Sequence, residues 1–432
     1  MKFYFVIPKI GPTRFQLNPF PNPRAYKIYS YLNETFSKRH VNLGLLTVAG
    51  LTPNSIEMEL VDTRFEEVDF NKECDLVVIS SKSLECENAY QIADRFRERN
   101  IPVAFGGIHA TLYPHDVKKH ADFVFVGEAE MTWKTFVQDF VERKAKPIYG
   151  EGEQGKNCDI TQSPIPRYDL LKKEKYSIIP IQTTRGCPHN CDFCVVSRYL
   201  GSRYRFKTID QIIKELETVL SLWTYPSLFF VDDNMFADKK RSKELLDRLQ
   251  TYRVKSWMTQ CDITVAEDEE LLDKIRASQG RFLFIGFESL RKDSLTSVNK
   301  TPVKHIRDIK SYYQKCIRTI QKHDIQIFAY FIVGFDEDDI TVFDEIRDFI
   351  FENKLLGQVN LLMPTIYSKF YEKLIKENRL TDDWQFKNLD GSHVTYIPLQ
   401  MTKEQMEKRQ LELYNEIYNP EFTFELMKQL II

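Results

Sequence analysis

Cys187-Pro188-His189-Asn190-Cys191-Asp192-Phe193-Cys194 gathers three of the chain's eight cysteines into one short loop. The spacing is C-x3-C-x2-C. The loop follows an apolar stretch at 178–184 and an Arg185-Gly186 turn. Three thiolates so placed suit a cubane iron–sulfur cluster, because closely spaced cysteines can each reach a different iron. They suit structural zinc poorly, since such sites are nearly always four-coordinate and no fourth cysteine stands at ribbon spacing. His189 could be offered as a fourth ligand, but its place between two of the cysteines strains its reach to the same metal. Three ligands for four irons leave one iron open to chemistry.

Downstream of the loop, apolar β-rich runs alternate with helical periods, the pattern of βα units and a parallel sheet. Strands are expected at 178–184, 227–233, 255–262, 281–289, 326–334 and 358–363, with helices near 207–222, 237–252, 265–278, 303–323 and 338–353. The second helix places Leu245, Leu246 and Leu249 on one face, as a helix covering a sheet does. Six such units fall short of the eight of a closed barrel, and the site of a parallel barrel lies at the strand C-termini. Those ends read Asp232-Asp233-Asn234, Gln260-Cys261-Asp262, Glu288-Ser289 and Phe335-Asp336. By residue type alone, Asp, Asn and Ser there serve equally as helix N-caps.

Thr184-Arg185-Gly186-Cys187-Pro188-His189-Asn190-Cys191-Asp192-Phe193-Cys194 resembles the signature of radical S-adenosylmethionine (SAM) enzymes. The resemblance implies a [4Fe-4S] cluster on Cys187, Cys191 and Cys194. It implies that SAM chelates the open iron and is cleaved to a 5′-deoxyadenosyl radical. It further implies a partial (β/α)6 radical SAM barrel over 177–370, with Phe193 packed near the adenine. Asp232, Asp233 and Asn234 would meet the methionine moiety, with Gln260 at the same rim and Glu288 and Ser289 at the polar groups or ribose. Many relatives carry a Pro-Gly-Thr-Pro-like turn after the sixth strand. This chain has Met363-Pro364-Thr365-Ile366-Tyr367-Ser368 instead, so its substrate-side wall differs.

Residues 1–145 form a separate α/β unit, with strands expected near 2–8, 56–61, 76–80, 103–105 and 123–126 and helices near 43–50, 85–99 and 132–142. This is the pattern of a doubly wound, Rossmann-like sheet, whose ligand site lies at the carboxyl ends of the strands. Those ends carry Ser80-Ser81, Gly106-Gly107-Ile108-His109 and Gly127-Glu128-Ala129-Glu130, and glycines there allow close backbone approach to a ligand. With Leu43-Gly44-Leu45-Leu46-Thr47-Val48-Ala49 and Asp62, ahead of the cysteine loop, the set resembles cobalamin-binding radical SAM enzymes. The resemblance implies a cobalamin tail among Ser80, Ser81, Gly106, Gly107, Gly127 and Glu128, with His109 bordering it. The Asp-x-His-x-x-Gly motif that supplies a histidine to cobalt in mutases has no counterpart, and the first histidine is His40. Its absence matches the radical SAM methylase branch.

The whole chain is consistent with this division. Its 432 residues allow two to three domains at about 150 residues each. A 43% hydrophobic content excludes wholesale disorder, and 60 basic against 62 acidic residues argue against nucleic-acid binding by bulk charge. The longest apolar run, 328–335, is far below the roughly 18 residues that span a bilayer, and the apolar start at 1–7 is too short for a signal peptide, so a soluble cytoplasmic chain is expected. The scattered Cys74, Cys86, Cys158, Cys261 and Cys316 read as packing residues. Residues 146–176, with Gly150, Gly152, Gly155, Pro164 and Pro166, read as a connection. Residues 371–432 read as a mostly helical cap, in which Thr402-Lys403-Glu404-Gln405 forms a capping box. Its Met406, Leu413, Tyr414 and Ile417 are expected in core packing, with a part in shaping the pocket as the alternative.

The resemblance thus implies a cobalamin-dependent radical SAM C-methyltransferase. One SAM would methylate the corrinoid and a second would be cleaved, and the substrate radical would collect the methyl group. A cyclase or ring-contracting enzyme with the same cofactors stays open. A tRNA methylthiotransferase fits less well, since Cys74 precedes a strand, Cys86 opens a helix and the C-terminus reads as helical. Against a non-catalytic corrinoid sensor stands the intact cysteine loop. A flavodoxin- or ferredoxin-like electron donor is implied, with a small-molecule, lipid or peptide substrate rather than nucleic acid.

Overall fold

The computed structural model describes residues 1–12, 14–17, 21–33, 41–150 and 157–428; His40, Gly152 and Gly155 lie outside them. The first sheet is built from β1 (Lys2–Ile7), β2 (Glu57–Asp62), β3 (Leu76–Ser80), β4 (Val103–Gly106), β5 (Phe123–Phe125) and β6 (Ile148–Tyr149). Every pairing is parallel, in the order β2-β1-β3-β4-β5-β6. Alternation along β1 divides its side chains between two cores. Phe3, Phe5 and Ile7 pack with Leu45, Leu46 and Ala49 of the helix Leu43–Leu51 and with Trp133 and Phe136 of Trp133–Val141. Tyr4 and Val6 pack with Ala89, Ile92 and Phe96 of Cys86–Arg97. Both faces are therefore covered, which is why these strands read as unbroken apolar runs. The strand order reverses between β1 and β3, and a crevice opens beside that point at the C-terminal ends of β3, β4 and β5.

The strand β6 falls inside the stretch read as a connection, so the first unit extends to Tyr149. The second sheet begins at β7 (Ile178–Ile181). A two-stranded antiparallel ribbon, β8 (Thr184–Arg185) and β9 (Arg205–Phe206), brackets the cysteine loop. Then follow β10 (Ser227–Phe230), β11 (Ser256–Cys261), β12 (Gly280–Glu288), β13 (Gln326–Val333) and β14 (Leu356–Leu361). With β7 they form a six-stranded parallel sheet in chain order. One face carries the amphipathic helices, including Leu245, Leu246 and Leu249. The other presents Met258, Phe284 and Phe328, which meet Leu426 of the final helix, Pro420–Lys428.

The helix Lys403–Ile417 starts with the expected capping box of Thr402 and Gln405. It covers the open edge of β14. Gln410 Nε2 donates to the Val359 carbonyl at 2.8 Å, and Tyr418 Oη donates to that of Gly357 at 2.8 Å. An edge strand left bare would invite pairing with another chain, and these side chains occupy it. Met406, Leu413, Tyr414 and Ile417 are all buried in core packing. The chain's beginning joins the same cluster. Arg14 donates to the Ser392 carbonyl at 2.7 Å, while Phe15 and Tyr29 pack against Tyr414 at ring separations of 4.9 and 5.5 Å. Among the described residues no helix is long and apolar enough to cross a membrane.

Candidate active site

The cysteine loop is held in place from several sides. Gly186 has φ +92°, and a Cβ there would stand 2.5 Å from the Arg203 carbonyl, so only glycine fits the turn into Cys187. The Cys187 amide donates to the Gly201 carbonyl and the Asp192 amide to that of Val298 at 2.9 Å, while Lys369 pairs with the Asp192 carboxylate at 3.0 Å. Cys187, Cys191 and Cys194 line one cavity of about 300 Å³ together with Phe193, Asp233, Asn234, Gln260 and Glu288. Burial pushes the Cys194 thiol up to about 12 and raises the other two, so binding metal there would release protons. No three His, Cys, Asp or Glu among the described residues are grouped as ligands of a single ion. A cubane makes a different demand, each thiolate taking its own iron. A donor set of three thiols facing one open cavity fits that demand.

Two expected contacts lie elsewhere. Asp232 is buried, and its carboxylate accepts from the Thr183 and Thr184 amides at 2.8 and 2.6 Å and from Thr183 Oγ1 at 2.7 Å. It fixes the approach to the cysteine loop and does not line the cavity. Ser289 is fully buried and accepts from the Arg291 amide at 3.1 Å, acting as a turn cap. Neither residue is a helix N-cap: Asp238 caps the next helix, Lys239–Leu249, and Ser289 makes only a turn bond ahead of Lys292–Ser297. Glu288 adopts φ +65° at an irregularity in β12, a strained conformation for this residue type. Its carboxylate folds over Gly286, where a Cβ would come within 2.3 Å of it, and pairs with Lys300 at 2.7 Å. Burial alone would lower the Lys300 ammonium, but Glu288 outweighs it and keeps the amine charged.

Sequence reasoning missed Lys300, Tyr330 and Asn360, which also line this cavity, as does Asp262 from the strand end at 260–262. Asp262 accepts from Asn234 Nδ2 at 2.6 Å, and the His189 ring stands 3.9 Å from it. Cys261, read as a packing residue, lines the cavity too.

A second cavity, of about 390 Å³, opens at the C-terminal ends of the first sheet. Asn42 caps the helix Leu43–Leu51 and donates to the Ser80 carbonyl at 3.0 Å. Ser80, Ser81, Gly107, Gly127 and Glu128 line the cavity, whereas Gly106 does not. The Ser81 hydroxyl is buried without a hydrogen-bond partner among the described residues, and a Cβ on Gly127 would meet nothing within 4 Å. An orphaned hydroxyl beside open space is what an absent polar ligand leaves. Asp233 lines this cavity as well as the cysteine-lined one. Burial and the neighbouring Asp232 push its carboxyl up to about 7. The two cavities therefore share a wall.

Glu128 does more than line the groove. Its carboxylate takes Arg185 and Arg205 at 2.7 Å each and the Cys158 amide at 2.7 Å. Glu130 takes Arg185 at 2.9 Å. Burial opposes both charges, but the arginines hold both carboxyls below their usual range. This network ties the first unit to the residue that opens the cysteine loop.

His109, expected to border the groove, is fully buried, with Nε2 2.7 Å from Tyr90 Oη and Nδ1 3.2 Å from Ser83 Oγ. Both nitrogens are engaged inside the core, away from the cavity. Burial depresses its pKa from 6.5 to about 4. Between those values the unfolded chain binds a proton that the folded one refuses, so stability falls as pH falls. From about pH 7 to about pH 5 this residue is expected to remove about 2 kcal/mol. Urea denaturation of His109→Gln at both pH values should show a correspondingly smaller loss, and an unchanged loss would contradict the burial account.

The Radical SAM superfamily profile matches residues 181–350, which contain the cysteine loop and β10 to β13. The chain carries a radical SAM domain. Enzymes of this superfamily use a [4Fe-4S] cluster and SAM. Over 373 residues the chain is 28% identical to bacteriochlorophyllide d C-8(2)-methyltransferase of Chlorobaculum tepidum, covering 81% of this chain and 79% of that one. It is 27% identical over 360 residues to hopanoid C-2 methylase of Rhodopseudomonas palustris, covering 80% and 67%. Among solved structures it resembles the radical S-adenosylmethionine methyltransferase TsrM of Kitasatospora setae, with a TM-score of 0.66, 15% identity and coverage of 87% and 76%. It also resembles the cobalamin-dependent S-adenosylmethionine radical enzyme OxsB, with a TM-score of 0.60, 15% identity and coverage of 87% and 55%. At such identities the structural likeness speaks for the fold.

Proposed function

We propose that this radical SAM enzyme is a cobalamin-dependent C-methyltransferase. The observation that carries the reading is the wall at Asp233, with a thiol-lined cavity on one side and a strand-end crevice on the other. Relatives named as methyltransferases support it, as does a TsrM structure described with cobalamin and a [4Fe-4S] cluster bound. On this reading residues 1–149 are the Rossmann-like corrinoid unit, the β7–β14 sheet is a partial (β/α)6 barrel, and residues 371–432 form the cap.

Cys187, Cys191 and Cys194 would hold the cluster. Phe193, Asp233, Asn234, Gln260 and Glu288 would hold SAM, while Ser80, Ser81, Gly107, Gly127 and Glu128 would line the corrinoid tail groove. When bound, the cluster and SAM supply an oxidant for an unactivated C–H bond, and the corrinoid supplies a methyl carrier. The protein's part is placement and exclusion of water. Glu288 and Lys300 form a fixed charged pair for the polar end of a zwitterionic ligand. Phe284, Tyr330 and Ile332 wall the cavity with apolar surface. The Glu128–Arg185–Glu130 network keeps the two cavities in register.

The test is anaerobic reconstitution with iron, sulfide and cobalamin, followed by methyl-labelled SAM and a low-potential reductant such as dithionite, which supplies the electrons that corrinoid methylation and SAM cleavage consume. The label is expected on the corrinoid, with S-adenosylhomocysteine as co-product, and Gly127→Leu is expected to abolish cobalamin uptake while sparing the cluster. A protein that takes up the cluster but leaves cobalamin behind sinks the methylase reading. Bound cobalamin with 5′-deoxyadenosine but no labelled corrinoid would point to a rearranging enzyme.

A further inference from the structure

A third groove, of about 380 Å³, shares no lining residue with either cofactor cavity. It lies between the segment after β4 and the C-terminal region, and two aromatic pairs frame it. Tyr113 and Phe386 stand 5.3 Å apart at 55°, Tyr371 and Trp384 5.1 Å apart at 39°. The rings are fixed in advance. Trp384 Nε1 donates to the Pro364 carbonyl at 2.9 Å, and Phe386 packs edge-on against the buried His109 at 4.8 Å. Ile366 contributes from the unusual turn after β14.

Among the described residues the groove's only charged lining residue is Asp116, and none of those lining it is Lys, Arg or His. Lys119 pairs with Asp116 at 2.6 Å but does not line the groove, and the Asp116 carboxylate, 42% exposed, has capacity for a second cation. The Tyr113 hydroxyl is buried without a hydrogen-bond partner among the described residues. Aromatic faces attract a cation through their quadrupole, and a carboxylate at the rim adds to that attraction and repels anions. We infer that this groove binds an organic cation, a quaternary or protonated amine, against the rings of Tyr371 and Trp384 with Asp116 as counter-charge. Tyr113 caps the C-terminus of the short helix Ile108–Leu112 that follows β4, and Ile366 stands in the turn after β14, so segments that follow a strand of each sheet meet at the groove. There it serves as a recognition subsite for a cationic group of the substrate. That role rests on the methyltransferase reading; the binding of a cation does not.

The test titrates the full-length reconstituted protein with choline and with its uncharged carbon isostere, 3,3-dimethylbutan-1-ol, by calorimetry and tryptophan fluorescence. Choline is expected to bind at least about tenfold more tightly than the isostere, and Asp116→Asn and Trp384→Leu are each expected to weaken it about tenfold. Trp384→Phe, which keeps a ring, should restore most of the affinity. Equal affinity for the isostere, no saturable choline binding, or wild-type affinity in both Asp116→Asn and Trp384→Leu would overturn the assignment. Choline binding in a protein that takes up no cobalamin would uphold the cation site while the methyltransferase reading fails. Corrinoid methylation without preference for choline would do the reverse.

Discussion

Cys191→Ala is expected to yield a folded protein that forms no 5′-deoxyadenosine. Cys191 is the most buried of the three loop cysteines, but the loop does not depend on its thiol for shape. The loop is pinned through Asp192, whose amide reaches Val298, whose carbonyl receives the Phe370 amide at 2.9 Å, and whose carboxylate pairs with Lys369. Removing one sulfur therefore costs about 0.5–3 kcal/mol of stability at most, the ordinary range for a point substitution. The chemical loss is complete, because a cubane with two protein thiolates has neither the stability nor the single open iron that SAM requires. Iron content, visible absorbance and chromatography of the SAM products after anaerobic reconstitution report it. Retained cleavage would refute the cluster assignment.

Arg185→Met is expected to have the largest effect on stability. Its guanidinium is the cationic partner of Glu130, which otherwise keeps the Ser163 hydroxyl, and one of two arginines on Glu128, and the three side chains are only 11%, 8% and 5% exposed. Deleting one member of such a buried set strands a carboxylate in low dielectric and costs about 3–5 kcal/mol. Glu128 keeps Arg205, so most of the penalty falls on Glu130. The double variant Arg185→Met/Glu130→Gln should recover a large part of it. Urea midpoints for the two proteins decide the matter, and a cost below about 1 kcal/mol would mean that water screens the network as it screens surface pairs.

Much of the architecture was legible because strands buried on both faces announce themselves as apolar runs. The stretch 281–289 differs by one residue from β12, Gly280–Glu288. The two-residue edge strand Ile148–Tyr149 was not legible, being too short to show any period. At the sites, residue type was readable but direction was not. Asp232 and Asp233 are neighbours of identical chemistry, yet one is consumed by Thr183 and Thr184 while the other faces two cavities. Glu128 stands out in the sequence by its place after a glycine at a strand end. Its partners lie 57 and 77 residues away, a pairing no local pattern encodes. Lys300 sits in an irregular segment twelve residues beyond Glu288, and only the fold brings the two together.

The contact between the chain's two ends bears on how the protein is made. Arg14 reaches the carbonyls of Ser392 and Glu407 across 378 and 393 residues of sequence. A ribosome emits the first sheet long before the helix that completes this corner exists. At about 5–20 residues per second, Phe15 and Tyr29 wait on the order of tens of seconds for their ring partners. During that interval their apolar surface is a natural client for holding chaperones. Trimming the last helices would leave the same surface bare in the finished molecule, so aggregation during expression, rather than lost chemistry, is the first symptom to look for in a C-terminal truncation.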